Sequence, residues 1–115
     1  MDSRDASILR HIMNYCKDIR DSIERFGNDI EVFKSDTDYY YYSVSMAMLQ
    51  IGELSAKLTE GFRMETKDQM PWEIIRGMRN RFVHGYGEMD IETIWNTAAT
   101  SIPEMFSFCE NKLKP

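Results

Sequence analysis

The chain reads as all-α, four long helices of which the last is kinked, and three observations carry that reading. Apolar residues recur at three-to-four spacing through most of the sequence. No stretch alternates apolar and polar residues as a half-buried strand must. Glycine, proline and capping residues fall where the periodic stretches stop. At 115 residues and 43% hydrophobic content, residues 1–115 suit a single domain with its own core, small enough that pairing with a second copy adds useful burial; a homodimer is expected.

The first helix spans about Ser3 to Phe26, with Ile8, Ile12, Tyr15, Cys16, Ile19, Ile23 and Phe26 on its apolar face and Gly27 as its stop. Asn28 and Asp29 mark a turn, and Ile30 to Lys34 can add one helical turn. Ser35, Asp36 and Thr37 offer caps for a second long helix running to about Glu60 and ended by Gly61. Its apolar residues, from Tyr42 through Met48 and Ile51 to Leu58, surround most of the circumference, so this helix should be central. Residues 61–70 read as a polar loop, and Pro71 suits the first position of the third helix, where its missing N–H costs nothing. Gly85 and Gly87 break that helix. Asp90 can cap a fourth, carrying Ile91, Ile94, Trp95, Ala98, Ile102, Met105, Phe106, Cys109 and Leu113, which Pro103 should kink or split.

Several features invite functional readings that packing explains as well. Cys16 and Cys109 stand among apolar positions outside any Cys-x-x-Cys pattern, which favours reduced buried thiols over a disulfide. Two histidines and two cysteines lack the paired spacings of zinc ligands, so no metal or other cofactor is expected. The run Tyr39 to Tyr42 could stack bases, but at a helix start its rings point in all directions, and packing is favoured. His11 suits a helix surface, and the nine methionines suit an adaptable helical core. No apolar run is long enough to span a membrane and the first residues lack a signal peptide's blocks, so a cytoplasmic protein without membrane contact is expected.

A net charge of −5 argues against broad nonspecific nucleic-acid binding, which needs a basic surface to displace counterions. Local charge differs. Arg76, Arg79 and Arg81 fall within six residues, with Arg63 and Lys67 shortly before them, a plausible basic patch or else a solvated helix face. Beside them lies the segment Arg79-Asn80-Arg81-Phe82-Val83-His84-Gly85-Tyr86. Arginine presents a fixed charge and a planar fork of donors to phosphate oxygens, and histidine can move a proton near neutral pH.

On a helical wheel Ile74, Ile75, Met78 and Phe82 make a core-facing stripe flanked by Arg79, while Glu73, Gly77, Asn80 and His84 cluster opposite. Arg79 and His84, five apart, are about 140° out of phase on a regular helix. Either the helix distorts near Gly85, or Arg79 of one chain meets His84 of another across a two-fold contact. Gly77 either clears room there for a second backbone or is merely tolerated.

The run from Pro71 to Tyr86 resembles the signature of HepT-like HEPN-domain toxins: arginine followed by asparagine, four further residues to histidine, then one residue and tyrosine. Gln50-Ile51-Gly52-Glu53 upstream and Met89 to Trp95 downstream fit the same family, so the similarity covers most of the chain. The resemblance implies a HEPN-type antiparallel four-helix bundle and a metal-independent ribonuclease, with Arg79 and His84 catalytic and Asn80 supporting by holding His84 or the phosphate; Arg76 and Arg81 of the basic patch are then expected to contact RNA. It also implies a cognate nucleotidyltransferase antitoxin that attaches AMP to Tyr86. Glu53 resembles a recurrent family feature, though a carboxylate satisfying a neighbouring helix accounts for it too. The alternative is a noncatalytic helical module binding a partner protein or nucleotide, because HEPN domains do not all cleave RNA and a fold does not dictate a function.

Overall fold

The computed structural model describes residues 1–36, 40–84 and 90–115. Asp2 opens α1 (Ser3–Arg25) by accepting the Arg4 N–H at 2.6 Å. The helix ends where Gly27 and Asn28 turn left-handed, with φ of 77° and 54°. Their N–H groups return to the carbonyls of Glu24 (3.1 Å) and Ile23 (2.9 Å), the paired bonds of a Schellman ending, which is why glycine stands at this position. Asp29 caps α2 (Ile30–Ser35) through the Glu31 N–H at 2.9 Å. The cap expected from Ser35, Asp36 and Thr37 partly lies outside the described residues, as does Tyr39.

The second long helix, α3 (Tyr40–Ala56), stops short of the expected Glu60, and the expected polar loop begins instead with a further helix, α4 (Glu60–Glu65). Gly61 lies in the first turn of α4 and ends nothing. The physical reason is Thr59. Its hydroxyl accepts the Phe62 N–H at 3.3 Å, and the same residue is gripped by buried Asp5 of α1, which takes the Thr59 N–H at 2.8 Å and its hydroxyl at 2.6 Å. Arg63 donates to the carbonyls of Ala56 (3.0 Å) and Ser55 (3.4 Å), satisfying the bare end of α3. Buried Thr66 donates to the Phe62 carbonyl (2.8 Å) and accepts the Trp72 indole N–H (2.9 Å), which ties α4 to the start of α5 (Trp72–His84) directly after Pro71.

The last periodic stretch is divided as Pro103 led one to expect. Asp90 caps α6 (Ile91–Asn96) through the Glu92 N–H at 3.2 Å, a π-helical segment covers Thr97–Ser101, and α7 runs Ile102–Leu113. Pro103 has no N–H and its ring crowds the carbonyl four residues back, so the wider turn sits immediately before it and α7 carries the proline in its first turn.

Helix α1 packs on α3 and α7, and α3 packs on α5. The shared core holds Leu9, Ile12 and Ile19 from α1, Val44, Met48 and Ile51 from α3, and Ile94 and Ile102 from the last stretch. Tyr40 and Tyr41 are buried, with Tyr40 stacked on Phe26 at 4.3 Å between centroids and edge-on to Phe33, so packing explains them; Tyr42 is exposed. Burial, with some help from Asp29, pushes the Tyr40 phenol up to about 12. Cys16 and Cys109 are free, buried thiols pushed up to about 12 by burial, Cys109 adding to the effect on Cys16. Among the described residues no helix is long and apolar enough to cross a membrane.

Ile74 departs from expectation. Ile75 and Phe82 are buried and Met78 is half-buried, but Ile74 is 71% exposed. The core-facing side of α5 is centred on Ile75 and Phe82, and this rotation turns Arg79 toward α3. The approach is close. A methyl group at Gly52 of α3 would stand 2.5 Å from Arg79 Cβ and 2.9 Å from its Cγ, so a side chain here must push α5 away. Gly52→Ala should therefore destabilise the fold by about 1–3 kcal/mol, the range for overpacking a tight contact. Gly61→Ala, at an open position, should be neutral or slightly stabilising, and urea titrations of both variants compare the two.

Candidate functional site

Arg79 projects from the third turn of α5 onto α3, half-buried. Its Nε donates to Glu53 Oε1 at 2.5 Å, and its Nη1 donates to Asn80 Oδ1 at 2.9 Å. The side chains of the ion pair are 31% and 36% exposed, so solvent still reaches the charges. Sequence reasoning read Glu53 as a carboxylate serving a neighbouring helix, which it is, but did not connect it to Arg79. The available signal was Gly52 beside it, a small residue where a second helix can come close.

His84 is the last residue of α5 and is exposed. The helix is regular through His84, so the out-of-phase relation to Arg79 persists within one chain. Among the described residues no hydrogen bond joins them. Asn80 and His84 are both exposed, as their shared wheel position implies, but the Asn80 amide oxygen is bonded to Arg79. Gly77 has nothing within 4 Å of where a Cβ would stand, so its face is open in a single chain. Tyr86, with Gly85 and Gly87, lies outside the described residues.

The basic patch is partly neutralised. Arg76 and Arg81 are exposed, but Arg79 is paired with Glu53 and Arg63 is engaged on the end of α3. Arg63, Lys67 and Arg76 share a shallow surface depression with Glu60 and Glu73. An apolar cleft of about 200 Å³ lies between α5 and α7 over Met48 and Ile51, walled by Met70, Ile74, Met78 and Met105. It contains none of Arg79, Asn80 or His84, and among the described residues Glu104 is the sole ionisable group along it. The groups suited to phosphate chemistry thus lie on α5 outside that cleft, a guanidinium held on the α3 side and an accessible imidazole on another side of the helix.

Comparison with known proteins bears on the same segment. The family model described as "Ribonuclease HepT-like" matches residues 12–111. Several relatives carry the name "Putative RNase", two of them as follows. One, from Caldanaerobacter subterraneus subsp. tengcongensis, is 31% identical over 100 residues, covering 84% of this chain and 83% of its own. The other, from Methanocaldococcus jannaschii, is 32% identical over 97 residues, covering 77% and 83%. "Probable ribonuclease HepT" of Thermococcus cleftensis is 29% identical over 97 residues, covering 80% and 86%. No solved structure matches the chain significantly. With a family match across nearly its whole length, including both Glu53 and the Arg79 to His84 segment, the chain belongs to the HepT-like ribonuclease family.

Proposed function

We propose that the chain is a metal-independent endoribonuclease toxin held in check by a nucleotidyltransferase antitoxin. The observation that carries the reading is the family match across a helix that presents both an anchored arginine and, at its end, an exposed histidine. In the reaction a ribose 2′-oxygen attacks the adjacent phosphorus, the bond from phosphorus to the 5′-oxygen breaks, and a 2′,3′-cyclic phosphate and a 5′-hydroxyl result. The 2′-OH proton leaves to a base and the departing 5′-oxygen receives one from an acid. Arg79 stabilises the charge that builds on the phosphorane oxygens, His84 moves a proton, and Arg76 and Arg81 hold flanking phosphates.

One imidazole does not readily serve as acid and base in the same step. A two-fold dimer across the open Gly77 face would bring two His84 side chains to one cleft, one to act as base and the other as acid. The exposed Ile74, Gly77 and His84 on one side of α5 support such an arrangement. A second reading, a noncatalytic binding module, draws on the Arg79 to Glu53 ion pair, which by itself is a structural contact.

Arg79→Ala and His84→Ala should each lower RNA cleavage at least about 100-fold with far-UV circular dichroism unchanged, the scale expected for losing a charge stabiliser or proton carrier. Cleavage should persist in excess chelator, and a substrate with deoxyribose at the cut site should survive. Parental rates in both variants would refute the roles given to Arg79 and His84, and a parental chain that cleaves no RNA would support the binding module. Gly77→Leu should shift sedimentation toward monomer and reduce cleavage with it; an active monomer refutes the composite site. For the antitoxin, incubation with the cognate nucleotidyltransferase, ATP and magnesium should add one adenylyl group to the peptide holding Tyr86, and Tyr86→Phe should remain unmodified. Neutralisation with Tyr86 intact would mean inhibition by binding alone. The added phosphodiester would bring negative charge near Arg79 and Arg81 and compete there with RNA.

A further inference from the structure

The Arg79 guanidinium is not free to meet an anion in any orientation. It has five N–H donors and two edges that can grip an anion with a fork, one formed by Nε with a terminal nitrogen and one by the two terminal nitrogens. Glu53 occupies Nε at 2.5 Å, and Asn80 takes one donor of Nη1 at 2.9 Å. Three donors remain, all on the terminal nitrogens. The stem is held as well, because Arg79 Cβ and Cγ lie against the Gly52 backbone with no room for a methyl group between. The arginine is thus tied to α3 at its root by packing and at its head by a carboxylate.

Resting on the ribonuclease reading above, we propose that Glu53 is a positioning residue for the cleavage reaction. It turns the guanidinium so that the terminal edge, and not the Nε edge, faces the scissile phosphate. Two alternatives compete with this role. The pair could simply join α3 to α5, but ion pairs this open to solvent add little to stability, so the fold gives weak reason for the contact. Glu53 could instead be a proton carrier, but its carboxylate faces a guanidinium, which never gives up a proton. Orientation is where a single well-made bond has a large effect, since a displacement of about 1 Å at a reacting group costs on the order of 100-fold in rate.

The test compares Glu53→Gln, which keeps an acceptor oxygen for Nε but loses the charge, with Glu53→Ala, which loses both. Steady-state cleavage of an RNA oligonucleotide by the full chain gives kcat, KM and the pH profile, and thermal melting reports the fold. Glu53→Gln should stay within about threefold of the parental kcat. Glu53→Ala should lose about 10- to 100-fold in kcat with KM, pH profile and melting temperature little changed. In an Arg79→Lys background, whose side chain has no fork to orient, adding Glu53→Ala should cost less than about threefold more. If Glu53→Ala folds poorly, Glu53→Asp, which keeps the charge but draws the carboxylate back from Nε, takes its place with the same expected loss and the same comparison in the Arg79→Lys background. Undiminished or faster cleavage by Glu53→Ala overturns the proposal, as does Glu53→Gln falling with Glu53→Ala while a limb of the pH profile moves. A parental chain that cleaves no RNA overturns the ribonuclease reading and this proposal together, an outcome distinct from an active parent with an indifferent Glu53.

Discussion

The closeness of α3 and α5 at Gly52 is the constraint on which the site depends. Helix α5 meets the rest of the molecule chiefly through α3, so the missing side chain at one position decides where the whole motif helix lies. Two consequences follow from that contact. Arg79, opposite Gly52, is trapped between helices with its charge met by the next residue of α3, Glu53. The far side of α5 then carries Gly77, Asn80, Arg81 and His84 into solvent. Core packing and the presentation of reactive groups are two faces of one helix placement.

The remainder of the fold supports that placement by anchoring the ends of α3 and α5. Asp5 reaches from α1 to seize Thr59, Arg63 returns to the last carbonyls of α3, and Thr66 holds the Trp72 indole at the first turn of α5. Each is a polar side chain spending its hydrogen bonds on a helix end or on a neighbour, the arrangement that lets polar groups be buried at low cost. The segment between α3 and α5 is therefore tightly specified.

What the sequence made legible was local. Gly27 as a helix stop, Asp29 and Asp90 as caps, Pro71 ahead of the motif helix and the break near Pro103 all depend on residues within a few positions of one another. So did the divergence of Arg79 and His84, which follows from helical phase alone. The misread features were tertiary. Gly61 looked like a terminator because the sequence does not show that Asp5, far away in the chain, makes Thr59 a cap. Ile74 looked like core because a wheel shows phase but not which neighbour the helix meets, and here the cleft beside α7 leaves it exposed. The partnership of Glu53 with Arg79 needed knowledge of which helices touch.

The π-helical segment in the last stretch acts as a phase corrector. Ile94, Ala98 and Ile102 recur every four residues and are all buried, at 1%, 2% and 4% exposure. On an uninterrupted α-helix each such step drifts about 40°, so a stripe at this spacing would spiral off the core within a few turns. The wider turn over Thr97–Ser101 winds back part of that drift, and the three side chains all stay in the core. In evolutionary terms such a turn behaves as an absorbed one-residue insertion: the chain is longer by one position than a continuous helix over the same rise, while the residues on both sides of it keep their alignment to the core.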